Sequence, residues 1–305
     1  MSIPHGPLYL LAGAALTLGV QKLGYLGNEF NFRGSRAAPD ASAWDTLTSI
    51  LKQWEFTTNY AVMVGDANGR LFTYEGGNFT VSTKIPTGST SKWPSAMMFA
   101  GLVEDGSVSS LDDPVYKYLP WWTKDPTDLR STVTFRMLLT FTSGFGDGHP
   151  GEEANTRAAR EWRGNQTMVA RRLASKECDQ MAGDILQCGK WIYENVKLIG
   201  KPGTVYSYNS NHLQLAATVA VTITGLDIQQ VIQKYLVEAF DMKDSSYPGN
   251  CPDFGGGLFT TGVDYEKFMK GLLTYKFFSK KLIDASEEDA TPFMKDFYTL
   301  CLESV

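Results

Sequence analysis

The sequence predicts an α/β (α+β) fold, an antiparallel sheet flanked by helices plus a mainly helical region, and three observations carry that prediction. Two strand-like runs, Tyr60 to Gly65 and Arg70 to Tyr74, flank Asp66-Ala67-Asn68-Gly69, whose Asn-Gly pair favours a tight hairpin. Apolar segments of helical character fill much of the stretch from Lys92 to about Met242. A last segment, Asp264 to Phe278, sets Tyr265, Phe268, Met269 and Leu272 on one face of a helix.

Taken in order, Trp44 to Trp54 reads as a first helix with Asp45 near its start, followed by the hairpin. Ile85-Pro86-Thr87-Gly88 is a turn-rich approach to an apolar helix that runs from Lys92 through Val103 and ends at Glu104-Asp105-Gly106. Pro94 fits within its first turn, where backbone N–H groups lack intrahelical partners. Residues 147–168 carry the marks of a surface insertion. A helix is expected from Leu213 to Thr224, and Gly255-Gly256-Gly257 marks close backbone approach ahead of the last helix.

With 305 residues and 43% hydrophobic content, the chain can bury a sizeable core, and one large domain is expected. The net charge of −5 argues against nucleic acid as a partner. No cofactor is expected: the glycine run lacks Gly-x-Gly-x-x-Gly spacing and no Lys-Ser/Thr follows it. No metal is expected either, since no Cys/His cluster has zinc-ligand spacing.

Residues 7–20 form a short uncharged apolar run with the length of a signal-peptide core. The expected layout is a signal peptide or membrane anchor over 1–25, a linker over 26–43 and a catalytic-type domain over 44–305. Localisation would then be secreted or membrane-anchored, in the secretory pathway. Asn78-Phe79-Thr80 and Asn165-Gln166-Thr167 are glycosylation acceptors compatible with that. Cys178 and Cys188 are placed to close a small loop in an oxidising compartment, while Cys251 and Cys301 either pair or stay buried and reduced.

Ser89-Thr90-Ser91-Lys92 is the stretch that carries chemistry. Residues three apart on a helix share a face, so the Lys92 amine reaches the Ser89 oxygen. A serine hydroxyl needs an adjacent base to act as a nucleophile, and burial disfavours the charged form of a lysine. Two readings fit this segment alone: an activated nucleophile, or a serine N-cap on a core helix whose lysine reaches out to solvent. A second match, Ser49-Ile50-Leu51-Lys52, sits in an ordinary amphipathic helix segment.

The blocks around Ser89 decide between them. Thr87-Gly88-Ser89-Thr90-Ser91-Lys92, the segment from Gly101 to Pro120, the segment from Val133 to Phe145, Pro202 to Asn211, and Gly255 to Phe268 follow one another in the order of a known family. The sequence resembles the serine β-lactamase and penicillin-binding-protein superfamily, on the branch of class C β-lactamases and related esterases. The resemblance spans about residue 58 to about residue 275. It implies a β-lactamase/transpeptidase-like fold and a serine hydrolase acting on an ester or amide, in a small molecule or a peptide, through an acyl-enzyme at Ser89.

In that family a tyrosine opens a Tyr-x-Asn or Tyr-x-Ser element and helps move the proton between serine and leaving group. Tyr208-Asn209-Ser210 fits that role, with Ser210 where an asparagine is commoner. Ser210, Asn209 and Asn211 are the expected substrate-side residues, the two amides standing in for the missing one. Tyr193-Glu194-Asn195 matches the pattern inside a helical run, and Ser207-Tyr208-Asn209 suits the Ser-x-Asn variant of other branches. The family usually has a histidine where this chain has Phe141.

The resemblance implies one more element well past the glycine-rich block, a strand bearing a Lys-Thr-Gly or His-x-Gly-like triplet and supplying a second N–H to the oxyanion hole. No such triplet occurs after Phe268, and the histidines are His5, His149 and His212. The expectation is a chain truncated relative to its family, with an incomplete sheet and weak or no hydrolysis. The alternative function is an inactive homologue with a binding or structural role.

Overall fold

The computed structural model of the chain describes residues 9–12, 41–146 and 176–294. The expected insertion at 147–168, Asn165, Cys301 and most of the apolar run 7–20 lie outside the described residues. The elements in order are β1 (Tyr9–Ala12), α1 (Ala41–Lys52), β2 (Tyr60–Asp66), β3 (Gly69–Gly76), β4 (Ile85–Pro86) and α2 (Lys92–Glu104). Then come α3 (Phe135–Leu139), α4 (Ile185–Asn195), α5 (Asn211–Thr224), α6 (Ile228–Ile232), β5 (Phe259–Thr260), α7 (Gly262–Leu273) and α8 (Lys280–Ser286). The fold class is the one expected, α+β with small antiparallel sheets. The described residues group into two compact units, one within Met1–Ile85, Phe240–Ser245 and Phe259–Phe277, the other within Pro86–Ala239, Ser246–Leu258 and Phe278–Val305.

The first unit is built on the hairpin. Asp66 Oδ1 accepts from the Asn68 and Gly69 N–H groups at 2.8 and 3.2 Å, closing the turn that the Asn-Gly pair announces. The sheet has the order β1-β2-β3, all antiparallel, with Val62 opposite Tyr74 and a bulge between Val64 and Gly65. Side chains alternate along a strand, and β2 uses both faces. Tyr60 and Val62 pack with Leu51, Leu47 and Trp54 of the α1 region, while Ala61 and Met63 pack with Val81 and Val263 of α7. Trp44 stacks on Phe72 at 5.2 Å, which fixes α1 against β3.

The last helix of this unit is shorter than expected. It spans Gly262–Leu273 rather than Asp264 to Phe278, because Tyr275 adopts a φ of +52°, outside any right-handed helix. Its start is capped by Thr261, whose hydroxyl accepts from the Asp264 N–H at 3.1 Å.

The second unit is helical. Phe99 of α2 meets Phe254 edge-on at 5.0 Å, and α5 is buried along most of its length. The Cys178–Cys188 disulfide forms as the spacing suggests, tying the segment before α4 to its second turn. Cys251 is a buried free thiol that burial pushes up to about 12. Among the described residues no single helix is long and apolar enough to cross a membrane. Trp93 departs from an apolar helix buried all round: it is 46% exposed, whereas residues 97–102 are buried.

Candidate active site

Gly88 opens the turn that carries Ser89. Its φ of +54° lies where an L side chain is strained, so the chain swings directly into a 3-10 turn over Gly88–Ser91 and then α2. Residues i and i+3 eclipse in a 3-10 turn, which sets Ser89 and Lys92 side by side. Lys92 Nζ lies 3.2 Å from Ser89 Oγ. Ser89 is exposed and Lys92 half-buried.

The other side of this segment anchors it. Thr87, Ser91 and Ser95 recur every four residues and form one stripe. The Thr87 N–H and hydroxyl both donate to the Leu258 carbonyl, at 2.9 and 3.0 Å. Ser91 Oγ donates to the Gly88 carbonyl at 2.6 Å and accepts from the Leu258 N–H at 3.1 Å. Ser95 Oγ donates to the Phe254 carbonyl at 2.9 Å and bonds the Tyr247 hydroxyl, which reaches the Ser91 carbonyl at 3.2 Å. Ser91 and Ser95 are fully buried, so these bonds satisfy groups that would otherwise be costly to bury.

The stripe clamps segment 254–258 beside Ser89. Lys92 Nζ donates to the Gly255 carbonyl and stands within hydrogen-bond reach of Ser89 Oγ. A Cβ on Gly255 would stand 2.2 Å from Ser210 Oγ, so only glycine lets that carbonyl reach the lysine with Ser210 alongside. The glycine run therefore does what its sequence suggests, bringing backbone close to the site.

Tyr208 stands on the other side of Lys92. It is 41% exposed, and Lys92 Nζ lies 4.4 Å from the centre of its ring. The Phe141 ring stacks behind it, centroids 6.1 Å apart and planes 24° apart. Phe141 holds a φ of +62°, a left-handed conformation uncommon for an aromatic residue, and its carbonyl accepts from the Ser207 N–H at 3.1 Å. The stem of Lys92 and the Phe141 ring also border a cavity of about 250 Å³ whose walls include Ala96, Ala100, Leu139 and Leu282.

The structure brings Ser89, Lys92, Tyr208 and Ser210 together around Gly255, all within the second unit. The two neighbouring amides are engaged elsewhere. Asn209 Nδ2 donates to Ser207 Oγ at 2.8 Å and to the Phe145 carbonyl at 3.3 Å, and Asn211 Nδ2 donates to the Gly146 carbonyl at 2.8 Å. They fasten the Tyr208 loop to the segment 141–146. Ser207 is 1% exposed with its hydroxyl turned toward Asn209, whereas Tyr208 opens to solvent. Tyr193 lies in α4 and its hydroxyl accepts from the Thr123 N–H at 3.1 Å.

Sequence reasoning passed over Ser91, Ser95, Tyr247 and His212. The four-residue recurrence of hydroxyls was the available signal for the first two; nothing local marks Tyr247 or His212. Among the described residues no group of three or more His, Cys, Asp or Glu side chains is placed to hold a metal ion.

The profile of the family described as Beta-lactamase matches residues 57–292. The chain belongs to the β-lactamase family. Within it, the chain is 23% identical over 252 residues to the D-alanyl-D-alanine-carboxypeptidase/endopeptidase AmpH of Escherichia coli K12, covering 73% of this chain and 59% of that relative. The chain thus spans less than two thirds of the length of the curated relative it matches. Among solved structures it is similar to simvastatin synthase (LovD) from Aspergillus terreus, with a TM-score of 0.61, 18% identity, and 88% of this chain and 77% of that one covered. It is also similar to a D-stereospecific amidohydrolase from Streptomyces sp., with a TM-score of 0.56, 17% identity, and 81% and 76% covered. These likenesses show the β-lactamase/transpeptidase-like fold.

Proposed function

We propose that this member of the β-lactamase family is a serine hydrolase that takes the acyl group of an ester or amide onto Ser89. The observation that supports it most is the double engagement of Lys92, whose Nζ bonds Ser89 Oγ at 3.2 Å and the Gly255 carbonyl. A neutral lysine amine donates one N–H to that carbonyl and turns its lone pair to the Ser89 hydroxyl. As Oγ attacks the carbonyl carbon its proton passes to Lys92, and the C=O electron pair moves onto oxygen. The Ser89 N–H, at the positive end of α2, faces that developing charge. Collapse re-forms the C=O, breaks the bond to the leaving alcohol or amine, and the Tyr208 hydroxyl supplies the leaving group's proton, replaced from Lys92. Water then releases the acyl group by the reverse steps.

Small-molecule and peptide substrates both suit this chemistry. A carboxypeptidase/endopeptidase and an amidohydrolase among the similar proteins favour amides. Ser210 lies on the substrate side beside Gly255, while Asn209 and Asn211 act by holding the loop. Placement in the secretory pathway belongs to the same reading; the Cys178–Cys188 disulfide and an exposed Asn78 acceptor support it, whereas Tyr9–Ala12, paired with β2 as strand β1, speaks against a leader or anchor over residues 7–20.

A fluorophosphonate probe tests the reading. The expected result is a single adduct on Ser89 in the wild type and none in Ser89→Ala; equal ester turnover by the two forms would rule the catalytic reading out. The second reading, an impaired homologue with a binding role, is favoured by Phe141 and by Ser210 at the position of the family's amide. A folded wild type that forms no adduct supports it.

A further inference from the structure

His212 lies in the first turn of α5, fully buried and without a part in the chemistry above. Its ring nitrogens have different partners. Nε2 is 2.9 Å from the Ser207 carbonyl oxygen and 3.3 Å from Asn209 Nδ2, whose two N–H groups go to Ser207 Oγ and the Phe145 carbonyl, and Nδ1 is 2.8 Å from Ser143 Oγ. A carbonyl can only accept, so Nε2 carries the proton; Nδ1 then accepts from the Ser143 hydroxyl. Both sites of a neutral ring are satisfied, and burial holds the imidazole down at about 4.

Ser143 and His212 have the spacing of a nucleophile and its base. Both are wholly buried, so no substrate carbonyl reaches Ser143 Oγ. The pair must act through what it holds.

We propose that His212, as the Nε2–H tautomer, is the positioning residue for Tyr208. It adds the shortest N–H to the Ser207 carbonyl, one residue before the tyrosine, which also accepts from the Asn209 N–H at 3.1 Å, while the Ser207 N–H is pinned to the Phe141 carbonyl at 3.1 Å. Ser207 is therefore held at both of its peptide groups. The Phe141 ring packs between His212 and Tyr208, with centroids 5.1 and 6.1 Å away. What remains free to Tyr208 is rotation about its own side-chain bonds, over a surface that His212 and Phe141 set. The inference rests on the role proposed above for Tyr208. A displacement of about 1 Å at a reacting group costs on the order of a hundredfold in rate, which is the scale at which such positioning acts.

The test uses the full chain with 3-fluorotyrosine at position 208 and 15N-labelled histidine, in wild type, His212→Gln, His212→Phe and Ser143→Ala. Wild-type His212 should show a protonated Nε2 and a bare Nδ1 at neutral pH; an Nδ1–H tautomer or an imidazolium overturns the proposal. His212→Gln keeps an N–H for the Ser207 carbonyl, and should preserve a single narrow fluorine resonance and Ser89 acylation within about threefold. His212→Phe fills the space but donates nothing; it should split or broaden that resonance and slow acylation by about tenfold to a hundredfold at unchanged probe affinity. An unchanged fluorine spectrum in folded His212→Phe overturns the proposal, and Ser143→Ala, expected to disturb the resonance in the same way, carries that reading if His212→Phe does not fold. Absence of acylation in the wild type strikes the acyl-enzyme reading alone, because the nitrogen and fluorine spectra still decide the role of His212.

Discussion

The two loops that deliver the candidate catalytic groups are anchored in different ways. The nucleophile turn is held by hydroxyls on one helical stripe, Thr87, Ser91 and Ser95, none of which titrates near neutral pH. The Tyr208 loop is held by side-chain amides and an imidazole, Asn209, Asn211 and His212. The first anchor is repetitive, local in sequence and indifferent to pH. The second is equally local, Asn209 to His212, and like the first it grips a segment far away in the chain, 143–146 where the first grips 254–258. One of its members, His212, does titrate, taking up a proton only at about 4. Placement of the candidate nucleophile and of the candidate proton carrier thus rests on two kinds of donor, and they should fail under different conditions.

The largest expected effect concerns what the anchors deliver. Ser89→Ala should abolish adduct formation and Lys92→Ala should slow it by ten-thousandfold, as an order of magnitude, with little change in melting temperature, since Ser89 is exposed. Intact-mass spectrometry and thermal unfolding measure the two separately.

Acid should separate the anchors next. The His212 imidazole takes up a proton near 6.5 when unfolded but at about 4 in the folded chain. Between those values the unfolded state binds more protons, so stability falls as pH drops from 6.5 towards 4, by about 3 kcal/mol in all. Urea unfolding across that range should show the slope in wild type and a flatter one in His212→Gln. Equal slopes would break the comparison.

Ser91→Ala tests the hydroxyl stripe. It leaves the buried Leu258 N–H without its acceptor and should cost about 1–3 kcal/mol, with no change of that cost between pH 4 and 6.5. The smallest effect belongs to Gly88→Ala. Nothing crowds a Cβ there, so the cost is the left-handed φ alone, about 1–2 kcal/mol in an unfolding experiment.

Much of this was legible in the residues. The Asn-Gly turn foretold the hairpin, the cysteine spacing the disulfide, and the Ser89 to Lys92 spacing their 3.2 Å approach. Each depends on residues close in sequence, where backbone geometry leaves few choices. What the residues left open has a common origin. The last helix of the first unit stops at Leu273 because Tyr275 turns left-handed, a choice the amphipathic pattern does not encode. Asn209 and Asn211, expected toward substrate, also turn their amide N–H groups to the carbonyls of Phe145 and Gly146, contacts no local pattern specifies. His212 carried no local signal, since a lone histidine in an apolar helix says nothing of what lies above its ring.

The sequence by itself determined the fold class, the family, and the pairing of a hydroxyl with an amine one helical turn away, because i to i+3 geometry is a property of the backbone. The tertiary structure decided the rest of the site: the Gly255 carbonyl on Lys92, Phe141 behind Tyr208, and His212 beneath the loop. The first two join residues tens to more than a hundred positions apart, and the third is completed by Ser143, 69 positions from His212. Their donors and acceptors are specified only when packing removes water and each buried polar group must take the nearest partner that remains.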